Sequence, residues 1–141
     1  MKNVIKYSQI NFTLRGIDML YKKIDLDERY PDANLTFYVH DDADKDLPMI
    51  AVCPGGGYQF LSEREAEPVA LQYFAAGLNV FILRYSVKEN ALNDAPLIES
   101  ALAVKHIREN ADKYFVDPDY IFITGFSAGG HCAAMCGTLW N

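Results

Sequence analysis

Apolar and polar positions along this chain follow two alternating periods, and each change of period marks a change of element. Asn11-Phe12-Thr13-Leu14 and Met19-Leu20-Tyr21 have strand character and are interrupted by Arg15-Gly16-Ile17-Asp18. Leu35-Thr36-Phe37-Tyr38-Val39-His40 alternates β-branched and aromatic residues and predicts another strand, which Asp41-Asp42-Ala43-Asp44 ends as a turn. Pro48-Met49-Ile50-Ala51-Val52-Cys53 reads as a buried strand. A helix is predicted between Ser62 and Ala76, with Ser62 and Glu65 spaced as a capping box. Pro68 is tolerated only in a first turn, so the helix begins near Glu67 or opens with a separate turn, and Gly77 supplies its C-cap. Leu78-Asn79-Val80-Phe81-Ile82-Leu83 is nearly all apolar, as a parallel strand covered on both faces should be. The next helix runs from about Pro96 to Tyr114, with Leu97, Ala101, Val104 and Ala111 on one face and Ile107 beside them. Asp117-Pro118-Asp119 closes that connection before Tyr120-Ile121-Phe122-Ile123-Thr124, another apolar run that reads as a buried strand. The Ala-rich segment from Gly130 to Cys136 then starts a helix. Strand, helix, strand, helix, strand, helix is the succession of parallel βαβ units with right-handed crossovers.

The last strand and helix enclose Gly125-Phe126-Ser127-Ala128-Gly129, a G-x-S-x-G pentapeptide. In a chain of this composition the pattern arises by chance about 0.02 times, and the strand–helix context lowers that further. A serine on a sharp strand-to-helix turn has a strained backbone and an exposed hydroxyl, and the flanking glycines leave room for the neighbouring strand and helix. Ser127 is therefore the candidate nucleophile. A second motif supports it. Cys53 runs into Pro54-Gly55-Gly56-Gly57-Tyr58, and consecutive glycines after a core strand can present adjacent N–H groups to a developing oxyanion. Gly56 and Gly57 are assigned as oxyanion donors, with Ala128, next to the serine, as the third. Tyr58 is a candidate lining residue of the substrate pocket.

The remaining polar candidates have plainer readings. His131 shares a helix face with Ser127, but the elbow lifts the serine while the helix runs away beneath it, so packing or hydrogen bonding near the elbow is expected rather than general base work. His40 and His106 are expected to be solvated. Arg84-Tyr85 reads as a structural hydrogen-bond network, and Glu63, Glu65 and Glu67 as partners of a helix dipole. Cys53, Cys132 and Cys136 form no disulfide framework and match no standard zinc spacing, so they read as buried small hydrophobes and no metal is assigned.

Composition narrows the functional classes. The net charge of −6 over 141 residues, with no basic cluster longer than Lys22-Lys23, argues against nucleic acid and anionic membrane surfaces as partners. Half of the residues are apolar, which suits a packed core. Met1-Lys2-Asn3 is followed by no secretory apolar region, and no run is long enough to span a bilayer, so the expected location is cytoplasmic.

Taken in order, Tyr30-Pro31-Asp32-Ala33-Asn34-Leu35, Cys53-Pro54-Gly55-Gly56-Gly57-Tyr58, Glu65-Ala66-Glu67-Pro68-Val69-Ala70, Leu83-Arg84-Tyr85-Ser86, Ala95-Pro96-Leu97 and Gly125-Phe126-Ser127-Ala128-Gly129-Gly130-His131 resemble small esterases of the α/β-hydrolase superfamily, related to acetyl esterases and acetylxylan esterases. The resemblance implies an α/β-hydrolase fold: a mostly parallel sheet with an antiparallel N-terminal hairpin. It implies a carboxylic-ester hydrolase acting on small-molecule or carbohydrate esters, acetyl foremost, with no cofactor. Pro54 stands where hormone-sensitive-lipase relatives carry His, which points to the sugar-ester branch. Such enzymes place an acid and a His after the nucleophile, and after Ser127 this sequence offers His131 alone. Residues 1–141 are thus expected to form the N-terminal portion of one such domain, truncated after the elbow helix, with weak or no turnover and with self-association through an exposed sheet edge. The alternatives are a non-catalytic module of the same fold and a serine peptidase of the superfamily.

Overall fold

A computed structural model describes residues 8–14, 17–41 and 46–139. Within them β1 (Ser8–Leu14), β2 (Ile17–Asp27), β3 (Tyr30–His40), β4 (Leu47–Cys53), β5 (Asn79–Arg84) and β6 (Val116–Gly125) form one sheet in the order β1-β2-β3-β5-β4-β6. β1, β2 and β3 are an antiparallel meander, and β3 pairs antiparallel with β5. β5, β4 and β6 run parallel, as the alternation of strand and helix predicts. The interruption expected around Arg15 and Gly16 and the turn expected at Asp42, Ala43 and Asp44 fall outside the described residues.

Two helices cover opposite faces of this sheet, and the two-residue period of the strands sorts the core between them. Ile50 and Val52 of β4 and Val80 and Ile82 of β5 pack with Ala70 and Phe74 of α1 (Glu67–Ala75). Met49, Ala51 and Cys53 with Phe81 and Leu83 face the other way, toward Ala103 and Ile107 of α2 (Ala95–Glu109). Phe37 of β3 centres that second cluster, with its ring stacked on Tyr114 at 4.6 Å between centroids. A third helix, α3 (Ala128–Thr138), follows β6. No helix of the described residues is long and apolar enough to cross a membrane.

Several local expectations are corrected. α2 stops at Glu109 and a separate 3-10 turn covers Ala111–Tyr114. Its buried stripe is Pro96, Glu99, Ser100, Ala103 and Ile107, whereas Ala101 is exposed and Leu97 and Val104 are half-buried. Apolar periodicity chooses the wrong face because Glu99, polar and fully buried, is satisfied by Ser86, whose N–H and hydroxyl donate to its carboxylate at 2.7 and 2.5 Å. Burial nonetheless raises the Glu99 pKa, against the lowering effect of the Ser86 hydrogen bonds. The Ser62–Glu65 capping box does not form. A 3-10 turn at Glu63–Glu65 precedes α1, Ser62 makes no side-chain cap, and Pro68 sits in the first turn. Asp117, Pro118 and Asp119 lie inside β6, where an irregularity between the Leu47 and Met49 pairings accommodates them. Tyr120 and Phe122, expected to be buried, are 55% and 50% exposed because β6 is the edge of the sheet.

Neither His40 nor His106 is solvated as expected. The His40 ring stacks on Phe74 at 3.8 Å and its Nε2 lies 3.0 Å from the Phe74 carbonyl. His106 Nε2 lies 3.0 Å from the Tyr114 hydroxyl. Burial, reinforced by the charges of Lys22 and Lys113, lowers the His106 pKa from the ordinary 6.5. The unfolded chain then binds this proton more readily than the folded one, so stability falls as pH drops below that value. His106→Gln is expected to flatten the pH dependence of the urea midpoint between about pH 7 and about pH 5. An unchanged slope would remove the ring from the acid sensitivity of the fold.

Nothing in the local sequence pattern singles out Asn79, yet it ties three segments together. Fully buried at the start of β5, it accepts from His40 N–H at 2.9 Å and donates to the Tyr114 and Phe115 carbonyls at 3.1 and 3.0 Å.

Candidate active site

The G-x-S-x-G turn has a spacing that its contacts explain. A Cβ on Gly125 would overlap the Gly129 carbonyl, and one on Gly129 would overlap the Cys53 carbonyl and lie 2.5 Å from that of Pro54. Strand, turn and helix can therefore close together only without those side chains. Between them Ser127 adopts φ 50° and ψ −118°, a conformation that costs a non-glycine residue about 1–3 kcal/mol. Phe126 N–H donates to the Cys53 carbonyl at 3.2 Å and Gly129 N–H to the Phe126 carbonyl at 2.8 Å, which holds the turn against the end of β4. Ser127 is exposed at the N-terminus of α3, where the helix dipole favours negative charge.

The glycine segment lies against this turn. A Cβ on Gly55 would stand 2.6 Å from the Phe126 carbonyl, so the segment passes next to the residue before the serine. Gly56, Gly57 and Tyr58 all have positive φ, at 141°, 62° and 60°. Among the described residues, the backbone N–H groups of Gly56, Gly57 and Ala128 are engaged in no turn or loop hydrogen bond. The structure thus brings the predicted serine, the glycines and Ala128 to one place.

Supporting side chains come from elsewhere in the chain. Glu65 accepts from Gly55 N–H at 2.8 Å, and Tyr85 donates its hydroxyl to the Pro54 carbonyl at 2.5 Å. Glu63 and Glu67 both bind Arg84, at 2.9 Å each, and Glu67 also stands in the first turn of α1, the place expected of a helix-dipole partner. The expected network at Arg84-Tyr85 is present. Glu65, expected as a helix-end charge, serves the glycine segment instead, across ten positions of sequence.

Tyr58 borders an open cleft of about 320 Å³ whose walls include Leu92, Pro96, Leu97, His131 and Met135. Its hydroxyl lies 2.8 Å from His131 Nδ1, so His131 takes the hydrogen-bonding role expected of it. Burial, with Cys132 and Cys53 nearby, raises the Tyr58 pKa and keeps the phenol protonated near neutral pH. None of the three histidine rings is hydrogen-bonded to Ser127 among the described residues. The three cysteines are free and buried. The neighbouring Cys132 thiol, together with burial, holds Cys53 well above the ordinary thiol range, so it is a poor nucleophile. Among the described residues no group of three His, Cys, Asp or Glu side chains could hold a metal ion.

Comparison with known proteins gives the family and the fold. The BD-FAE family model matches residues 35–141. Endo-1,4-beta-xylanase B of Butyrivibrio fibrisolvens is 38% identical over 109 residues, which cover 75% of this chain and 16% of that protein. Among solved structures, MGS-M1, an alpha/beta hydrolase enzyme from a Medee basin deep-sea metagenome library, is 44% identical with a TM-score of 0.77. That alignment covers 81% of this chain and 49% of MGS-M1. The acetyl ester-xyloside bifunctional hydrolase of Caldicellulosiruptor lactoaceticus is 39% identical with a TM-score of 0.72, over 76% of this chain and 39% of that one. The chain thus spans half or less of the length of these relatives. With the family match over residues 35–141 and the sheet order described above, the chain belongs to the BD-FAE family and is an esterase-like member of the α/β-hydrolase fold.

Proposed function

We propose that this chain carries the nucleophile and oxyanion site of a carboxylic-ester hydrolase. Ser127 Oγ attacks the acyl carbonyl carbon and its proton passes to a base. The carbonyl oxygen becomes an oxyanion held by the N–H groups of Gly56, Gly57 and Ala128. Collapse expels the alcohol, and water then cleaves the acyl-serine ester to release the acid. Tyr58 lines the cleft that receives the substrate. The observation that carries this reading is an exposed serine in a strained turn, packed against a glycine segment in which the Gly56 and Gly57 N–H groups are unengaged.

Small acyl esters, acetyl foremost, are the proposed substrates, on small-molecule or carbohydrate alcohols. The support is the likeness to an acetyl ester-xyloside bifunctional hydrolase and to a xylanase. With no histidine ring bonded to Ser127, turnover by this chain is expected to be weak. Hydrolysis of p-nitrophenyl acetate and of acetylated xylo-oligosaccharides tests the reading, compared with Ser127→Ala. Equal rates for both proteins on both substrates would overturn it.

Self-association belongs to the same proposal. The β6 edge carries exposed Tyr120 and Phe122 beside a groove of about 560 Å³ lined by Ala101, Val104, Ile121 and Ile123. Sedimentation velocity is expected to show species that grow with concentration. A single monomer boundary throughout the series would remove this part.

A further inference from the structure

We infer that His131 is a positioning residue for the Gly56–Gly57 segment, acting through the hydroxyl of Tyr58. The inference rests on the proposed role of that segment as an oxyanion site.

Three consecutive positive φ values, at Gly56, Gly57 and Tyr58, make this a backbone that side-chain packing must hold in place. Packing is absent at its tip, since a Cβ on Gly57 would meet nothing within 4 Å. Hydrogen bonds fix the two ends. Gly55 N–H is bound by Glu65, and Ser62 N–H donates to the Gly55 carbonyl at 2.8 Å. On the far side, Lys88 N–H donates to the Tyr58 carbonyl at 2.7 Å. Ser62 and Glu65 precede α1 and Lys88 follows β5, so none of these bonds reaches α3.

The bond from Tyr58 to His131 does reach α3, across 73 positions of sequence. His131 is itself locked to the elbow, because its N–H donates to the Ser127 carbonyl at 3.0 Å. The Tyr58 ring is further seated against Tyr85 at 5.8 Å and edge-on to His131 at 6.1 Å. In the tautomer that carries its proton on Nε2, the phenol donates and Nδ1 accepts. The Phe126–Cys53 backbone bond and the close passage of Gly55 fix the base of the glycine segment against the serine turn, and this side-chain pair joins its far end to α3. Loss of that pair leaves both halves folded and lets their spacing drift, and an oxyanion donor displaced by a fraction of an ångström loses much of its effect.

Tyr58→Phe, His131→Ala and the double variant test this, with His131→Asn as the rescue, since its Oδ1 offers an acceptor close to the position of Nδ1. Two readouts are used: amide hydrogen exchange of residues 55–60, and the rate at which a fluorophosphonate labels Ser127. Exchange at Gln59 and Phe60, whose N–H groups donate to the Gly56 carbonyl at 3.0 and 3.3 Å, is expected to quicken by about tenfold in each single variant, with the melting temperature unchanged. Labelling is expected to slow by about tenfold in either variant and no further in the double, with His131→Asn within about threefold of the parent. Single losses that multiply in the double variant, or an Asn variant as slow as Ala, would overturn the inference. Failure of the parent itself to label counts against the ester-hydrolase reading, and hydrogen exchange then decides the positioning role alone. Unchanged exchange in both single variants would overturn it.

Discussion

Ser127→Ala is expected to abolish covalent labelling by a fluorophosphonate, a loss of at least about 10³-fold, because the bond to phosphorus can form only at an activated oxygen. Intact mass gives the result directly, as one adduct on the parent and none on the variant. The substitution removes one exposed hydroxyl that makes no cap hydrogen bond, and alanine suffers the same strain at φ 50° as serine. Thermal stability should therefore be unchanged, which separates a chemical effect from a structural one. Labelling that persists in Ser127→Ala would place the reactive group elsewhere. Parent protein that stays unlabelled would show that the strained turn alone does not activate the serine.

Gly129→Ala is expected to cost on the order of 4 kcal/mol or more. The new Cβ would overlap the Cys53 carbonyl and press on that of Pro54. Both obstacles are backbone, so no rotamer can relieve the clash. The first turn of α3 would have to move off β4 by roughly 1 Å in a closely packed region. Against a total stability of about 5–15 kcal/mol, that threatens the native state itself. Gly137, on the same helix, is the control. Nothing lies within 4 Å of a Cβ there, and Gly137→Ala should stabilise by about 0.5 kcal/mol through helix propensity. Urea midpoints measured side by side should move in opposite directions. Equal midpoints for parent and Gly129→Ala would refute the packing account of the motif.

The two glycine substitutions show why the motif is legible in the amino-acid order. Its information is local, since a strand, a helix and the spacing of Gly125, Ser127 and Gly129 specify a turn that only that spacing permits. The parallel strands β4 and β5 are legible for a related reason. A strand covered on both faces must be apolar at nearly every position, and these two are. The same logic misleads at β6, whose run of Tyr120 to Thr124 looks equally covered but lies at the edge of the sheet. Apolar composition states what a strand is able to bury and says nothing about how many neighbours it has.

What local pattern cannot carry is partnership. Glu99 sits in the core because Ser86 neutralises its cost, and Glu65 leaves its capping position because Gly55 N–H offers its carboxylate a donor. His40 and His106 are held by Phe74 and Tyr114, and His131 by Tyr58. A polar side chain is placed by whichever donor or acceptor the fold brings within about 3 Å of it. That choice is made by the folded chain, across 8 positions for His106 and Tyr114 and 73 for His131 and Tyr58, so apolar periodicity does not contain it. The amino-acid order of this chain therefore set out the strands, helices, the serine turn and the glycine segment, which depend on neighbours in sequence. Tertiary packing decided the buried face of α2, the exposure of β6 and the link from His131 to Tyr58, because each depends on which distant group fills the space beside it.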